Sequence, residues 1–104
     1  MGKSILVTGG SGFLGSALTR RLIRDGHRVR VLDNNSRGNL RRLADVIDDC
    51  EFIQADIREP GAVADAIKGT DCVCHLAYVN GTRFFYEKPE LVLDVGVKGM
   101  INVI

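Results

Sequence analysis

Residues 6–18 read LVTGGSGFLGSAL and place four glycines within seven positions. Glycine destabilises helices and strands alike, so this density needs a physical reason. Before the glycines, Lys3–Thr8 is a short apolar run that predicts a buried strand. After them, Phe13–Asp25 carries apolar residues at helical spacing, and Gly26 is a natural helix stop. The glycines therefore lie in a turn that joins a strand to a helix.

Strands and helices alternate along the rest of the chain. The further predicted elements are a strand at Arg28–Asp33, a loop at Asn34–Asn39, a short helix at Leu40–Ile47, a strand at Glu51–Ala55, a helix at Pro60–Lys68, a strand at Asp71–Ala77, a loop at Tyr78–Glu87 and a helix from Pro89 onward. Apolar strands alternating with helices predict an α/β fold, the first half of a Rossmann-type doubly wound parallel sheet with helices on both faces. Right-handed crossovers give this sheet the strand order 3-2-1-4.

The strand, the glycine-rich turn and the helix together match a dinucleotide-binding fingerprint. Gly10, Gly12 and Gly15 fit the pattern G-x-G-x-x-G, and Asp33 stands at the end of the second strand. One glycine makes the tight turn, Gly12 lets the backbone approach a pyrophosphate, and Gly15 lets the helix pack close to the strand. The pyrophosphate would meet free N–H groups and the positive end of the helix dipole. Asp33 is placed to accept hydrogen bonds from the adenosine ribose hydroxyls.

A P-loop and a turn built only for packing fit the glycines less well. A P-loop has the spacing of Gly10 and Gly15, but Ser16 and Ala17 follow where that motif requires Lys and Ser or Thr. A turn built only for packing leaves Asp33 unexplained. Dinucleotide binding is therefore the preferred interpretation.

Composition limits the kinds of partner. The 104 residues suffice for one small domain with a single core, and the formal net charge is +1. Acidic and basic residues are mixed, so we expect no nucleic acid and no membrane partner. Arg37, Arg41 and Arg42 form a local basic patch, which we interpret as a solvated helix face rather than a phosphate site.

The three cysteines indicate a reducing compartment. An odd cysteine count without a signal peptide favours free thiols, so we expect a cytoplasmic protein. Cys72, Cys74 and His75 look like metal ligands, but a strand puts the two cysteines on one side and the histidine on the other. No fourth ligand stands at a suitable spacing, so we interpret the cysteines as buried structural residues and expect no metal.

Five motifs in order resemble the extended branch of the short-chain dehydrogenase/reductase superfamily, in particular its nucleotide-sugar epimerases and dehydratases. They are the glycine turn TGGSGFLGS at 8–16, the ribose-binding loop DNNSRG at 33–38, the adenine-contacting segment ADIRE at 55–59, the fourth-strand end HLA at 75–77 and the following helix KPELVLDVGVKGMINVI at 88–104. The resemblance covers the whole chain and implies a Rossmann domain at residues 1–104.

The resemblance also implies a role for each matching residue. The implied contacts are Gly9, Gly12 and Gly15 as the turn glycines, with Gly10 at a variable place; Phe13 and Leu14 beside the pyrophosphate; Asp33, Asn34, Asn35, Ser36 and Gly38 around the adenosine ribose; Asp56 on the adenine amino group and Ile57 over the ring; and Leu76 and Ala77 along the ribose on the nicotinamide side. For the polar loop residues, ordinary turn chemistry is the alternative, because Asn and Ser are common turn formers.

The expected cofactor is NAD, with NADP less favoured. A carboxylate at the end of the second strand bonds a free 2′-hydroxyl and repels a 2′-phosphate. Arg37 is the argument for NADP, because it could receive that phosphate.

The family's proton-transfer pair, Tyr-x-x-x-Lys, is absent from the chain. Tyr78 is followed four places later by Thr82, and Tyr86 by Glu90. We therefore expect no catalytic residue here and take the chain as the N-terminal part of a longer enzyme, whose substrate domain, and with it the nucleotide-sugar site, is missing. The fourth strand would then be an open edge that invites association, which leaves a homodimer open.

The resulting expectation is the cofactor-binding part of an NAD-dependent nucleotide-sugar epimerase or dehydratase, in which NAD takes a hydride from the sugar and returns it. The alternative is a non-catalytic dinucleotide-sensing module of the same fold, and a Tyr-x-x-x-Lys downstream would separate the two.

Phe84, Phe85 and Tyr86 are consecutive and cannot all face one core. We expect one or two of them to pack under the last helix, with a mobile lid over the site as the alternative.

Overall fold

The computed structural model describes residues 2–34, 40–77 and 86–104. Its strands are β1 (Ser4–Thr8), β2 (Arg28–Asp33), β3 (Cys50–Gln54) and β4 (Cys72–His75). Its helices are α1 (Phe13–Arg24), α2 (Pro60–Ile67), α3 (Pro89–Leu93), a π-helical segment at Asp94–Lys98 and α4 (Gly99–Val103). The last three segments follow one another without a gap and are called the C-terminal helix below.

The four strands form one parallel sheet in the order β3-β2-β1-β4, which confirms the predicted topology. Ile5 of β1 pairs with Val29 of β2 on one side and with Cys72 of β4 on the other. All four strands therefore end at the same edge of the sheet, where α/β folds bind their ligands.

Helices cover both faces of the sheet, as expected for a doubly wound fold. Ile5 and Val7 of β1 lie in the cluster against which Leu18 and Leu22 of α1 pack. Leu6 stands between them in the strand, so its side chain lies on the opposite face, in the second cluster. That cluster joins the sheet to α2 and the C-terminal helix through buried residues Leu32, Ile57, Val63, Ala66, Val92 and Val95.

The predicted helix at Leu40–Ile47 is wrong. Two short 3₁₀ turns stand there, at Leu40–Leu43 and Ile47–Asp49. Their backbone bonds span three residues, as in Ala44 N–H to the Arg41 carbonyl at 3.2 Å. Eight residues are too few to offset the cost of helix nucleation without extensive packing, and only Leu43 is fully buried among the described side chains of this stretch.

The fourth strand ends at His75 rather than at the predicted Ala77. The Leu76 N–H donates to both the Thr8 carbonyl and the Thr8 hydroxyl, at 3.1 and 3.0 Å. The Ala77 N–H donates to the hydroxyl at 3.1 Å, and regular pairing stops there. Within the described residues, no helix has the length and apolar character that crossing a membrane requires.

Candidate functional site

The turn between β1 and α1 depends on Gly9. Its φ of 76° lies in the region that favours glycine, and its N–H donates to the Leu32 carbonyl at 2.8 Å. A Cβ on Gly9 would lie 2.9 Å from the Ala77 nitrogen. Gly9 therefore lets the turn lie directly against the end of β4.

Two further glycines allow close packing around the turn. A Cβ on Gly15 would lie 2.0 Å from the Gly9 carbonyl oxygen, so α1 approaches the turn as the fingerprint predicts. A Cβ on Gly10 would lie 2.4 Å from Cγ1 of the buried Val31. Gly10 is thus tightly enclosed, although the resemblance assigns it a variable place.

Helix α1 begins without a side-chain cap. Gly12 is its N-cap residue and makes no side-chain hydrogen bond, and helix geometry leaves the first N–H groups without an intrahelical acceptor. The nearest atom to a Cβ on Gly12, the Gly9 oxygen, is 3.2 Å away. Phe13 and Leu14 are 80% and 71% exposed. This N-terminus is accessible, as the predicted pyrophosphate site requires.

Asp33 lies beside this turn and is held by Ser11. Its Oδ2 accepts hydrogen bonds from the Ser11 N–H at 3.0 Å and the Ser11 hydroxyl at 2.7 Å, and Asp33 is only 8% exposed. Charge-assisted bonds of this kind fix a buried carboxylate in one orientation. Ser11 was not predicted as a site residue, although a hydroxyl residue between the turn glycines is a signal for such a hydrogen bond.

Asp56 lies just beyond the end of β3 and forms an ion pair with Arg58. Its Oδ1 accepts from the Arg58 N–H at 2.9 Å and from Nε at 3.0 Å, and its Oδ2 accepts from Nη2 at 2.6 Å. Asn34 Nδ2 is 3.4 Å from Oδ2. The hydrogen bonds of Arg58 hold the pKa of Asp56 below its usual value. Arg58 was not predicted as a site residue, although the Asp-x-Arg spacing permits this pairing.

Ile57 is buried in the core rather than presented at the surface. Its side chain is 4% exposed and lies against Gly99, and its carbonyl accepts from Asn102 Nδ2 at 2.9 Å. Its contact with an adenine ring stays a prediction.

The end of β4 is fixed by Thr8, whose hydroxyl lies 2.7 Å from His75 Nδ1. Both lone pairs of that hydroxyl accept N–H groups, from Leu76 and Ala77. The Leu76 N–H is shared with the Thr8 backbone carbonyl at 3.1 Å, and the hydroxyl can donate to His75 Nδ1 when the neutral imidazole carries its hydrogen on Nε2. Burial lowers the pKa of His75, which favours the same neutral form.

The structure brings most of the predicted residues to the carboxyl edge of the sheet. Those around the glycine turn are Gly9, Gly12, Phe13, Leu14, Gly15, Asp33, Leu76 and Ala77, with Asn34, Asp56 and Ile57 next to them at the end of β3. Asn35, Ser36, Gly38 and Arg37 lie outside the described residues, as do Phe84 and Phe85. Tyr86 is described and is exposed.

One arginine of the predicted basic patch contacts the turn. Arg42 Nη1 is 3.4 Å from the Ser11 carbonyl oxygen, so this side chain is not only a solvated face.

The interpretation of the three cysteines as buried is wrong. Cys72, which begins an edge strand, is exposed, and Cys50 and Cys74 are only partly buried. Cys74 packs on the α1 side of the sheet, and burial raises the pKa of its thiol. In residues 2–34, 40–77 and 86–104, no three His, Cys, Asp or Glu side chains stand close enough to bind a metal ion together.

Comparison with curated proteins finds nucleotide-sugar enzymes. A putative UDP-glucose 4-epimerase of Methanocaldococcus jannaschii is 36% identical over 101 residues, covering 96% of this chain and 32% of that protein. UDP-glucuronic acid decarboxylase 1 of Danio rerio is 35% identical over 104 residues, covering 98% of this chain and 24% of that protein. The chain thus spans about a third or less of the length of these relatives.

Solved structures show the same fold. An epimerase of Methanothermobacter thermautotrophicus superposes with a TM-score of 0.92 at 34% identity, covering 98% of this chain and 30% of that one. A UDP-glucose 4-epimerase of Thermus thermophilus, solved in complex with NAD, superposes with a TM-score of 0.86 at 31% identity, covering 96% of this chain and 32% of that one. The model of the NAD-dependent epimerase/dehydratase family matches residues 5–104, and this chain belongs to that family.

Proposed function

We propose that this chain binds NAD and forms the cofactor-binding part of an enzyme that acts on nucleotide sugars. The observation that carries the proposal is the uncapped N-terminus of α1, with a buried carboxylate fixed beside it by Ser11. The NAD complex of the related Thermus thermophilus epimerase supports it.

The residues of the site fit the chemical groups of NAD. The N–H groups at the start of α1 would hold the pyrophosphate, and the open space at Gly12 admits it. Asp33 would bond the adenosine ribose, assisted by Asn34, Asn35, Ser36 and Gly38. Asp56 would bond the adenine amino group, and Leu76 and Ala77 would line the nicotinamide ribose. When bound, NAD supplies a hydride acceptor that oxidises the sugar and later returns the hydride.

This chain's own part in the reaction is to bind and orient. The fixed carboxylate of Asp33 selects a free ribose hydroxyl, because a phosphate there would face a negative charge. The Thr8 hydroxyl fixes Leu76 and Ala77 against Gly9, which determines the shape of the site at the end of β4. Proton transfer to the sugar is assigned to residues outside this chain, because neither tyrosine is followed by a lysine four places later.

Calorimetric titration of the protein at its natural length with NAD and NADP tests the proposal. We expect NAD to bind at least about tenfold more tightly than NADP, since close like charges cost several kcal/mol. Asp33→Asn should reduce this preference. Asp71→Asn is the control, because Asp71 also accepts a backbone N–H, from Ser4 at 2.9 Å, but at the opposite edge of the sheet. Absence of NAD binding, or tighter binding of NADP, would contradict the proposal.

A further inference from the structure

Arg58 connects Asp56 to the C-terminal helix. Its Nη1 donates to Asp94 Oδ2 at 2.9 Å, while its Nε and Nη2 donate to Asp56. Asp94 in turn accepts from Lys98 Nζ at 2.9 Å. The guanidinium thus lies between two carboxylates that belong to different elements. Its planar fork allows little rotation once both ends are bonded.

The C-terminal helix contacts the segment around Arg58 at two further points. Gly99 packs on the Ile57 side chain, because a Cβ there would lie 2.8 Å from Ile57 Cγ2. Asn102 Nδ2 donates to the Ile57 carbonyl at 2.9 Å. The C-terminal helix therefore contacts the backbone and the side chain of Ile57 as well as the guanidinium of Arg58.

The π-helical segment explains how one helix makes these contacts. Residues three and four apart share a face of an α-helix, but Asp94 and Gly99 are five apart. Hydrogen bonds from residue i to residue i+5 add one residue to the turn and bring such a pair to the same side. The π turn thus directs Asp94 and Gly99 to the same neighbouring segment.

One acceptor position of Asp56 holds only a long hydrogen bond. An ionised carboxylate accepts at about four positions, and Arg58 uses two on Oδ1 and one on Oδ2. The fourth position, on Oδ2, accepts from Asn34 Nδ2 at 3.4 Å, on the side of the predicted ribose site, and a ligand amino group could replace this long bond. A carboxylate fixed in this way can accept from an exocyclic amino group, but it can only repel a carbonyl oxygen at the same place.

We propose that Arg58, fixed by Asp94, is a positioning residue that makes the site select adenine over a purine with a carbonyl in place of the amino group, by orienting Asp56. The inference rests on the proposed NAD function. It adds that the selectivity is determined by an ion pair to the C-terminal helix rather than by Asp56 alone.

The test compares NAD with nicotinamide hypoxanthine dinucleotide, which differs in that exocyclic group. Dissociation constants for both are measured by calorimetry on the protein at its natural length. We expect the native protein to prefer NAD about tenfold, the effect of one hydrogen bond to a charged group. In Arg58→Lys and Asp94→Asn this ratio should fall about threefold or more. Asp56→Asn should abolish the preference.

Lys98→Gln is the matched control, because it removes the other partner of Asp94 and leaves the Arg58 contact in place. Its ratio should stay within about twofold of the native value. Both dissociation constants are measured on the same sample, so a smaller folded fraction raises both equally and leaves their ratio unchanged. A purely structural role of Arg58 would therefore not change the ratio. NAD binding with an unchanged ratio in Arg58→Lys and Asp94→Asn overturns this inference alone. No binding of either dinucleotide to the native protein overturns the proposed function, and this inference with it.

Discussion

Thr8 and Thr19 are both fully buried but differ in their hydrogen bonds. The Thr8 hydroxyl bonds Leu76, Ala77 and His75, whereas the Thr19 hydroxyl has no partner among the described residues. Thr19→Val should therefore raise the free energy of unfolding by about 0.5–1 kcal/mol, because it removes an unsatisfied buried group. Thr8→Val should lower it by about 2 kcal/mol. Urea unfolding of both variants checks this pair, and shifts of equal sign would contradict it.

His75 predicts a dependence of stability on pH. Burial lowers its pKa in the folded protein below the ordinary value of 6.5. Below about pH 6.5 the unfolded chain gains a proton at this histidine while the folded protein does not, so stability falls as the pH decreases from 7 toward the folded pKa. Above that range both states are neutral and the contribution is constant.

Urea unfolding at a series of pH values measures this effect. In His75→Asn, whose amide can still accept from Thr8, the decrease between about pH 7 and 5 should be reduced. His27→Asn is the control, because His27 lies near the opposite edge of the sheet and accepts the Lys3 N–H. An identical pH profile in His75→Asn and the native protein would contradict the assignment.

At the level of single residues, the two acids were predicted from the sequence but their partners were not. Asp33 was predicted from its place at the end of the second strand, and Asp56 from its resemblance to a motif; their contacts with a ribose and an adenine stay predictions. Ser11 and Arg58, which fix the two carboxylates, were missed. Their roles depend on distances between side chains of different segments, which periodicity and turn signals do not contain.

At the level of elements, Arg30 joins the sheet to the end of α2. Its Nη1 donates to the Ala66 carbonyl at 2.6 Å and the Lys68 carbonyl at 2.9 Å, and its Nε donates to Glu51 at 2.8 Å. The last turn of α2 has no basic residue of its own, so Arg30 satisfies carbonyls that the helix leaves free.

Arg30→Met, which keeps the apolar stem, should destabilise the protein by about 1–2 kcal/mol. Glu51→Gln removes only the partly exposed ion pair and should cost less than about 1 kcal/mol. Urea unfolding of the two variants separates these contributions. Equal losses in both would show that the ion pair, not the carbonyl contacts, stabilises this end of α2.

Elements with strong local signals were predicted within one or two residues. The strands are apolar runs, α1 follows a glycine turn, and α2 begins at a proline, which is typical of a first helical turn. The segment at Leu40–Ile47 has apolar residues at helical spacing but is short, and it folds as 3₁₀ turns. The π-helical segment had no sequence signal, because it depends on contacts with residues 57–58 in another part of the chain.

At the level of the whole molecule, apolar side chains remain on the outside of the C-terminal helix. They are Leu93, Val97, Met100, Ile101 and Ile104, all exposed, and β4 forms an open edge of the described sheet. A contiguous apolar patch on a small protein promotes association. We therefore expect the 104-residue chain, studied alone, to self-associate at micromolar concentration.

Sedimentation equilibrium of this chain measures the association. The double variant Leu93→Lys with Ile101→Lys should shift the population toward monomer. Glu90→Lys, an exposed polar position on α3, is the control and should not. Association that is unchanged in the double variant would exclude the helix surface as its cause.

The central claim, that NAD binds at the start of α1, is tested most directly by the backbone amide resonances. An isotope-labelled sample is titrated with NAD and followed by two-dimensional NMR, in which glycine amides are well separated. We expect large shifts for Gly9, Gly12 and Gly15, and for the Phe13 and Leu14 amides at the helix N-terminus. Gly26 and Gly69, which lie in turns at the opposite edge of the sheet, should not move. Saturable shifts confined to Gly26 and Gly69, or no saturable shift at the glycine turn, would contradict the account.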